Sequence, residues 1–138
     1  MKGKAAFVSD FDGTITGDDF FAYASEAFFD EKSLTPWRRF KKGEITHFEA
    51  LKEMFEKIRV SCGEFNAFMD KIPVDGGFAE GARICREKNM PVYICSAGCD
   101  YYINYLIGNI IEKYGVTLVA NRGSYSPETG LVMQMPPA

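Results

Sequence analysis

The feature that most constrains this 138-residue chain is an apolar run near its start that ends in two carboxylates. Residues 5–8 are small or apolar, and Asp10 and Asp12 follow closely. A short apolar run bounded by a turn signal is typical of a buried strand in a parallel sheet, and ligands bind such sheets at the carboxyl ends of their strands. The sequence therefore predicts a strand over residues 5–10 that ends at a functional site.

Only one residue separates the two aspartates, so both carboxylates would point the same way if the strand continued. Like charges at that distance require a cation or a proton. Mg2+ takes oxygen ligands, and a carboxylate with a neighbouring backbone carbonyl suits it. We therefore interpret Asp10 and Asp12 as a metal and phosphate site, in which Gly13 permits a sharp turn and Thr14 offers a hydroxyl and an amide to an anion. A plain Asp-Gly turn would explain Asp12 and Gly13 but not Asp10.

Composition limits the class of protein. Hydrophobic residues make up 46% of the chain and charged residues 25%, which is typical of a globular protein, and the length favours one domain with an insertion. A net charge of -3 gives no reason to expect nucleic acid or an anionic membrane as a partner. No apolar run is long enough to span a bilayer, and the four cysteines lack the spacing of a zinc site or a disulfide framework. We expect reduced thiols and a cytoplasmic protein.

Strands and helices alternate along most of the chain. Asp18 and Asp19 are expected to cap the first helix. In chain order, the elements predicted after the first strand and outside the insert described next are a helix over 20–28, a helix over 75–88, a strand over 91–95, a helix over 100–114, a strand over 116–120 and a hairpin of 121–125 with 131–134. This alternation predicts an α/β fold with right-handed crossovers and a parallel sheet.

Residues 33–72 differ from the rest, because basic and aromatic residues are frequent and no β-branched run occurs. Pro36 suits the first turn of a short helix, which we end at residue 42. Capping boxes at Thr46 and Ser61 begin two more helices, which we extend to residues 59 and 71. We therefore predict a helical insert at 33–72 within an α/β core of residues 1–32 and 73–138.

The strand predicted at 91–95 also ends in polar and small residues, Ser96, Ala97 and Gly98. A hydroxyl and exposed amides near a helix N-terminus can bind an anion. A helix cap would explain Ser96 equally well. The anion site is favoured because Asp10 is expected at the same edge of the sheet.

At this point the residues resemble a known family. Residues 10–14, DFDGT, match DxDGT, the first motif of the haloacid-dehalogenase (HAD) superfamily of phosphatases. Residues 94–102, ICSAGCDYY, look like the SGGxDFF stretch of the branch that contains phosphoserine phosphatase and the hydroxy-keto-methylthiopentenyl-phosphate phosphatases. The resemblance implies a Rossmann-like HAD core with a partial parallel sheet, in which the insert is a small helical cap over the site.

The resemblance also implies roles for the residues. Asp10 would be the nucleophile that forms an aspartyl phosphate, and Asp12 would be the general acid and base. The Asp10 carboxylate and the Asp12 backbone carbonyl would bind Mg2+. The substrate would be a small phosphorylated metabolite. The implied phosphate-binding residues are Thr14, Ser96, Ala97 and Gly98, and the implied substrate-binding residue is Asp19.

Two alternatives stay open. The third motif of the superfamily, a lysine, and the fourth, an acidic pair, have no counterpart here, so the chain is expected to be truncated and could be a phosphate-binding or interaction module without turnover. Carbon-halogen hydrolysis fits Asp12, Gly13 and Thr14 less well than phosphoryl transfer. The strand at 5–10 is expected to have an open edge, which predicts self-association or pairing with a missing C-terminal part.

Overall fold

The computed structural model describes residues 4–136, in which a mixed sheet is flanked by helices. Residues 1–3 and 137–138 of the predicted core lie outside the described residues. The strands are β1 (Phe7–Ser9), β2 (Val92–Cys99), β3 (Thr117–Ser126) and β4 (Gly130–Gln134). The helices are α1 (Phe20–Phe28), α2 (Thr35–Lys41), α3 (His47–Phe55), α4 (Cys62–Asp70), α5 (Gly76–Glu87) and α6 (Asp100–Tyr114), with a 3-10 turn at Lys32–Leu34.

The sheet confirms the predicted α/β fold. Its strand order is β1-β2-β3-β4, with β1, β2 and β3 mutually parallel and β4 antiparallel to β3. Helices lie between the parallel strands in the chain, so the carboxyl ends of β1 and β2 meet at one edge of the sheet. That edge is where the sequence predicts the functional site.

Several element boundaries differ from the prediction. The strand predicted at 116–120 and the first hairpin strand are one continuous strand, because β3 pairs with β2 in its first half and with β4 in its second half. β1 is shorter than predicted, and β2 continues to Cys99 with a register shift after Cys95. Helix α3 ends at Phe55 instead of residue 59, because the chain tightens into turns in which the Ile58 amide donates to the Phe55 carbonyl at 3.2 Å.

The predicted insert contains α2, α3 and α4, and of its two predicted capping boxes only the one at Thr46 is complete. Thr46 Oγ1 accepts from the Glu49 amide at 3.1 Å, and Glu49 Oε1 accepts from the Thr46 amide at 3.2 Å. Ser61 Oγ accepts from the Glu64 amide at 3.1 Å, but the Glu64 carboxylate accepts from the Ser61 hydroxyl instead of its amide. The first pair is therefore a full capping box and the second is a single cap.

One hydrophobic core joins the insert to the sheet. Phe65 of the insert is fully buried and stacks on Tyr125 of β3, with ring centroids 4.2 Å apart. The Val60 amide donates to the Tyr125 hydroxyl at 3.0 Å. Because buried aromatic contacts and hydrogen bonds cross between them, the insert and β3 hold each other in place.

The four cysteines all lie within the described residues and form no disulfide there. Within residues 4–136, every helix is too short or too polar to cross a membrane.

Candidate active site

A tight turn follows β1 and carries the first motif. The Phe11 carbonyl accepts from the amides of Thr14, Ile15 and Thr16 at 2.9 to 3.3 Å, and the Phe11 side chain is fully buried. Gly13 has a positive φ of 74°, which glycine adopts without steric cost. Thr16 Oγ1 accepts from the Gly13 amide at 3.1 Å, so the loop is fixed by its own backbone.

Asp12 is the most strongly held residue of the site. Its Oδ1 accepts from the Phe20 amide at 2.8 Å. Its Oδ2 accepts from the Tyr102 hydroxyl at 2.8 Å and from Ser96 Oγ at 3.2 Å. One carboxylate therefore connects the end of β1 with the start of α1, the end of β2 and helix α6.

Burial raises the pKa of the Asp12 carboxyl, although the donors from Phe20, Tyr102 and Ser96 act in the opposite direction. The negative charge of Asp19 adds to the rise. Burial and the nearby Asp12 charge also raise the pKa of Tyr102 well above its usual range, so its phenol remains a donor. A carboxyl that retains its proton to higher pH is suited to general acid chemistry.

Asp10 has the opposite surroundings. Its side chain is exposed, and its Oδ1 accepts from the neighbouring Phe11 amide at 2.7 Å. An exposed carboxylate with a single local bond keeps its remaining lone pairs available for a ligand. Asp10 is therefore accessible for attack or for metal binding, whereas Asp12 is enclosed.

A cavity of about 200 Å³ lies between the carboxyl ends of β1 and β2 and helices α1, α2 and α3. We call its first side the sheet side, formed by Asp10, Asp12, Ala97, Gly98 and Tyr102. We call its second side the helical wall, formed by Phe21, Trp37, His47, Leu51 and Phe55. Asp19 also lines the cavity, at the N-terminus of α1. Five of the predicted site residues therefore line one cavity: Asp10, Asp12, Asp19, Ala97 and Gly98.

The end of β2 is crowded against Asp12. The Gly98 amide donates to Ser96 Oγ at 3.0 Å, and Asn121 Nδ2 donates to the Ala97 carbonyl at 3.0 Å. A Cβ atom at Gly98 would lie 1.6 Å from the Tyr102 hydroxyl and 2.9 Å from Asp12 Oδ2, so only glycine fits.

The remaining two predicted phosphate-binding residues do not line the cavity. The Ser96 hydroxyl is used by Asp12 and Gly98, and the Thr14 side chain is exposed. Their roles in phosphate binding remain predictions.

The predicted caps of α1 are wrong. Asp19 occupies the N-cap position, but its side chain makes no capping hydrogen bond. Asp18 Oδ1 accepts from the Asp19 amide at 2.8 Å, outside the helix. The Phe20 amide is capped by Asp12 instead, because the turn after β1 returns the Asp12 carboxylate to the start of α1. Asp19 is thereby left to face the cavity.

Sequence analysis missed Tyr102 and the helical wall. Tyr102 stands where the SGGxDFF pattern has phenylalanine, and that departure was the available signal for an added hydroxyl. His47 also lines the cavity, at the start of α3. Periodicity shows which residues of a helix share a face, but not what that face meets.

The oxygen donors of the site fit a hard cation such as Mg2+ in kind. The Asp10 carboxylate is exposed, whereas the Asp12 carboxylate is occupied by its three donors. Among residues 4–136, no group of three His, Cys, Asp or Glu side chains could hold a metal ion. Asp10 and the Asp12 backbone carbonyl as protein ligands of Mg2+ therefore stay a prediction.

Comparisons with known proteins identify relatives in sequence and in fold. No family model matches the sequence. A curated relative, the 2-hydroxy-3-keto-5-methylthiopentenyl-1-phosphate phosphatase of Bacillus cereus strain B4264, is 26% identical over 106 residues, which are 75% of this chain and 48% of the relative. The chain thus spans about half the length of the curated relatives it matches.

Solved structures share the fold. A phospho-aspartyl intermediate analogue of phosphoserine phosphatase has a TM-score of 0.65 and 18% identity, covering 96% of this chain and 64% of the other. The phosphoserine phosphatase of T. onnurineus, in complex with NDSB-201, has a TM-score of 0.65 and 20% identity, covering 95% of this chain and 64% of the other. With the DFDGT motif at the end of β1, these similarities show that the chain has the fold of the phosphoserine phosphatases and is similar in sequence to a phosphatase.

Proposed function

We propose that this chain hydrolyses phosphomonoesters of small metabolites through an aspartyl phosphate on Asp10. The observation that carries the proposal is the contrast within one cavity between an accessible Asp10 and an enclosed Asp12 with a raised pKa. A nucleophile must reach the substrate, and a general acid must hold its proton until the leaving group needs it.

In the first step, a carboxylate oxygen of Asp10 attacks phosphorus and the bond from phosphorus to the leaving oxygen breaks. The protonated Asp12 gives its proton to that oxygen. In the second step, Asp12 takes a proton from water, the water oxygen attacks phosphorus, and the bond from Asp10 to phosphorus breaks. Inorganic phosphate leaves and the Asp10 carboxylate is restored.

Mg2+ is part of the proposal. The Asp10 carboxylate and the Asp12 backbone carbonyl would hold it, and when bound it would offset negative charge on the transferring phosphoryl group. Asp10 lines the same cavity as Ala97 and Gly98 at the end of β2. Residues so arranged would orient a phosphoryl group between the ends of two strands.

The similar proteins support the reaction class. The curated relative is a phosphatase by name, and one solved structure of the same fold is an analogue of a phospho-aspartyl intermediate. The four cysteines, unpaired within residues 4–136, support a reducing compartment such as the cytoplasm as the place of action.

Phosphoryl transfer to Asp10 is the direct test. We expect Mg2+-dependent release of p-nitrophenol from p-nitrophenyl phosphate and, after rapid acid quench, a phosphorylated peptide that contains Asp10. Asp10→Asn should abolish both signals. Asp18→Asn is the matched control, because Asp18 is exposed, lies close in sequence and does not line the cavity. Activity that survives both Asp10→Asn and chelation would contradict the proposal.

A second candidate function is a phosphate-binding module without turnover. The lack, among residues 4–136, of a three-ligand cluster for a metal favours it. Phosphate binding that depends on Asp10, in a protein that forms no phosphorylated Asp10 peptide, would identify this second function.

A further inference from the structure

The helical wall is chemically unlike the sheet side of the cavity. Phe21 and Trp37 stack with ring centroids 4.3 Å apart, and His47 packs edge-on to Trp37 at 5.9 Å. Leu51 and Phe55 are 4% and 1% exposed. The wall thus presents apolar and aromatic surface to the same cavity as the predicted phosphoryl site.

Apart from His47 and Tyr102, the ionisable side chains that line the cavity are carboxyls. Asp10, Asp12 and Asp19 line it, and none of the described lining residues is lysine or arginine. His47 is packed against the rings of Trp37 and Phe40. Lys41 lies with its Nζ 5.2 Å from the Trp37 ring centroid but does not line the cavity.

A ligand carboxylate in this cavity would therefore meet carboxylates without a lysine or arginine to pair with. Partial burial makes such an unpaired charge costly, because water no longer screens it. An uncharged apolar group would instead bury its surface against the helical wall at no electrostatic cost. The sheet side would thus bind the phosphoryl group of a ligand, and the helical wall would bind its organic part.

We propose that the site takes phosphomonoesters whose organic part is uncharged and apolar or aromatic, and that it rejects those that carry a carboxylate. This specificity rests on the proposed function, since it assumes that the phosphoryl group binds beside Asp10. The helical wall contacts the organic part, and Phe21 and Trp37 supply most of the exposed aromatic surface. Amino-acid phosphates, which carry a carboxylate, are excluded as preferred ligands.

Three phosphonates test the proposal on the full chain with Mg2+. Methylphosphonate carries the phosphoryl group alone, phenylphosphonate adds an aromatic ring, and 4-carboxyphenylphosphonate adds a carboxylate to that ring. Calorimetric titration should give phenylphosphonate an affinity about tenfold higher than methylphosphonate, and the added carboxylate should lower it about tenfold. Trp37 is the only tryptophan in the chain, so phenylphosphonate should also change its fluorescence.

Two matched variants test whether the higher affinity for phenylphosphonate comes from the helical wall. Phe21→Ala should bring the affinity for phenylphosphonate down to that for methylphosphonate. Phe29→Ala should leave both affinities unchanged, because Phe29 is also half-buried but does not line the cavity. Equal affinity for all three phosphonates, tighter binding of the carboxylate, or no binding of phenylphosphonate by the unaltered chain would overturn the proposal.

The carbon-phosphorus bond of a phosphonate resists hydrolysis, so this binding experiment does not depend on turnover. A chain that forms phosphorylated Asp10 but binds all three phosphonates equally retains the proposed reaction and loses the specificity. A chain that ranks the phosphonates as expected but never phosphorylates Asp10 retains the specificity as that of a binding site.

Discussion

On the sheet side of the cavity, hydrogen bonds fix the side chains, whereas on the helical wall aromatic packing does. On the sheet side, the single carboxylate of Asp12 accepts three hydrogen bonds, from the Phe20 amide and from the hydroxyls of Tyr102 and Ser96. Phe21 and Trp37 instead meet by ring stacking. Hydrogen bonds are directional and tolerate little displacement, while packing tolerates changes of shape when volume is kept. This difference agrees with the two proposed roles. The reaction needs side chains in fixed positions, as on the sheet side, and selection of the ligand needs an apolar surface, as on the helical wall.

The edges of the sheet show a similar difference. At one edge, Leu131 and Met133 of β4 are fully buried, and Lys52 of α3 donates to the Met133 carbonyl at 3.3 Å. At the other, β1 pairs with β2 alone among the described strands, and Phe7 and Val8 are 45% and 61% exposed. The insert covers the β4 edge, and the β1 edge is open within residues 4–136.

The largest expected effect is from Gly98→Ala on the sheet side. The new Cβ would overlap the Tyr102 hydroxyl, which is buried and cannot move away freely. We expect a loss of about 2 to 4 kcal/mol in the free energy of unfolding, measured by urea denaturation. Gly81→Ala on α5 is the control, since nothing lies within 4 Å of its Cβ position, and it should gain about 0.5 to 1 kcal/mol. Equal effects at both sites would show that the sheet side is not tightly packed.

Tyr102→Phe separates hydrogen bonding from packing on the sheet side, because it removes the hydroxyl that donates to Asp12 and keeps the aromatic ring. We expect a loss of about 1.5 to 3 kcal/mol in the free energy of unfolding, because the bond is made to a carboxylate. If the proposed reaction holds, kcat should fall about tenfold with KM unchanged, because Tyr102 positions Asp12 and not the bound ligand. Tyr101→Phe is the control, since its hydroxyl is not one of the Asp12 donors. An equal loss of stability and of kcat in both variants would show that the effect does not come from the hydrogen bond to Asp12.

Thiol labelling tests the packing beside the sheet side without mutation. Cys99, beside the sheet side, is fully buried, and burial raises its pKa to about 12. Cys62, at the start of α4, is exposed. The thiolate is the reactive form, so iodoacetamide at pH 8 should modify Cys62 and leave Cys99 unmodified until the protein unfolds. Peptide mass mapping with time gives the result, and early modification of Cys99 would mean that the sheet side opens.

The smallest effect on stability is expected from Val8→Lys at the open edge. Val8 is exposed, so the free energy of unfolding should change by less than about 0.5 kcal/mol. We propose that β1 pairs with a second copy of the chain, and a lysine on an edge strand disfavours such pairing. Sedimentation across a dilution series should show self-association that Val8→Lys weakens and Val119→Lys, on exposed Val119 of β3, does not. A protein that stays monomeric at every concentration contradicts this pairing.

The sequence alone determined the alternation of strands and helices and the place of the candidate site. The apolar runs before Asp10 and Ser96 predicted two parallel strands, and parallel strands joined by helices must end at one edge of the sheet. The capping boxes placed the starts of α3 and α4, because a cap depends on residues three positions apart. These features are local or follow from chain direction.

Tertiary structure decided how each polar group is used. Asp12 caps α1 instead of Asp19, and its further donors come from Ser96 and Tyr102, 84 and 90 positions along the chain. The aromatic rings of the helical wall belong to three separate helices, α1, α2 and α3, and line one cavity. No local pattern encodes such meetings, because they depend on the distances between elements once the core has packed. The place of the motif could therefore be predicted from the sequence, and the surroundings that separate Asp10 from Asp12 could not.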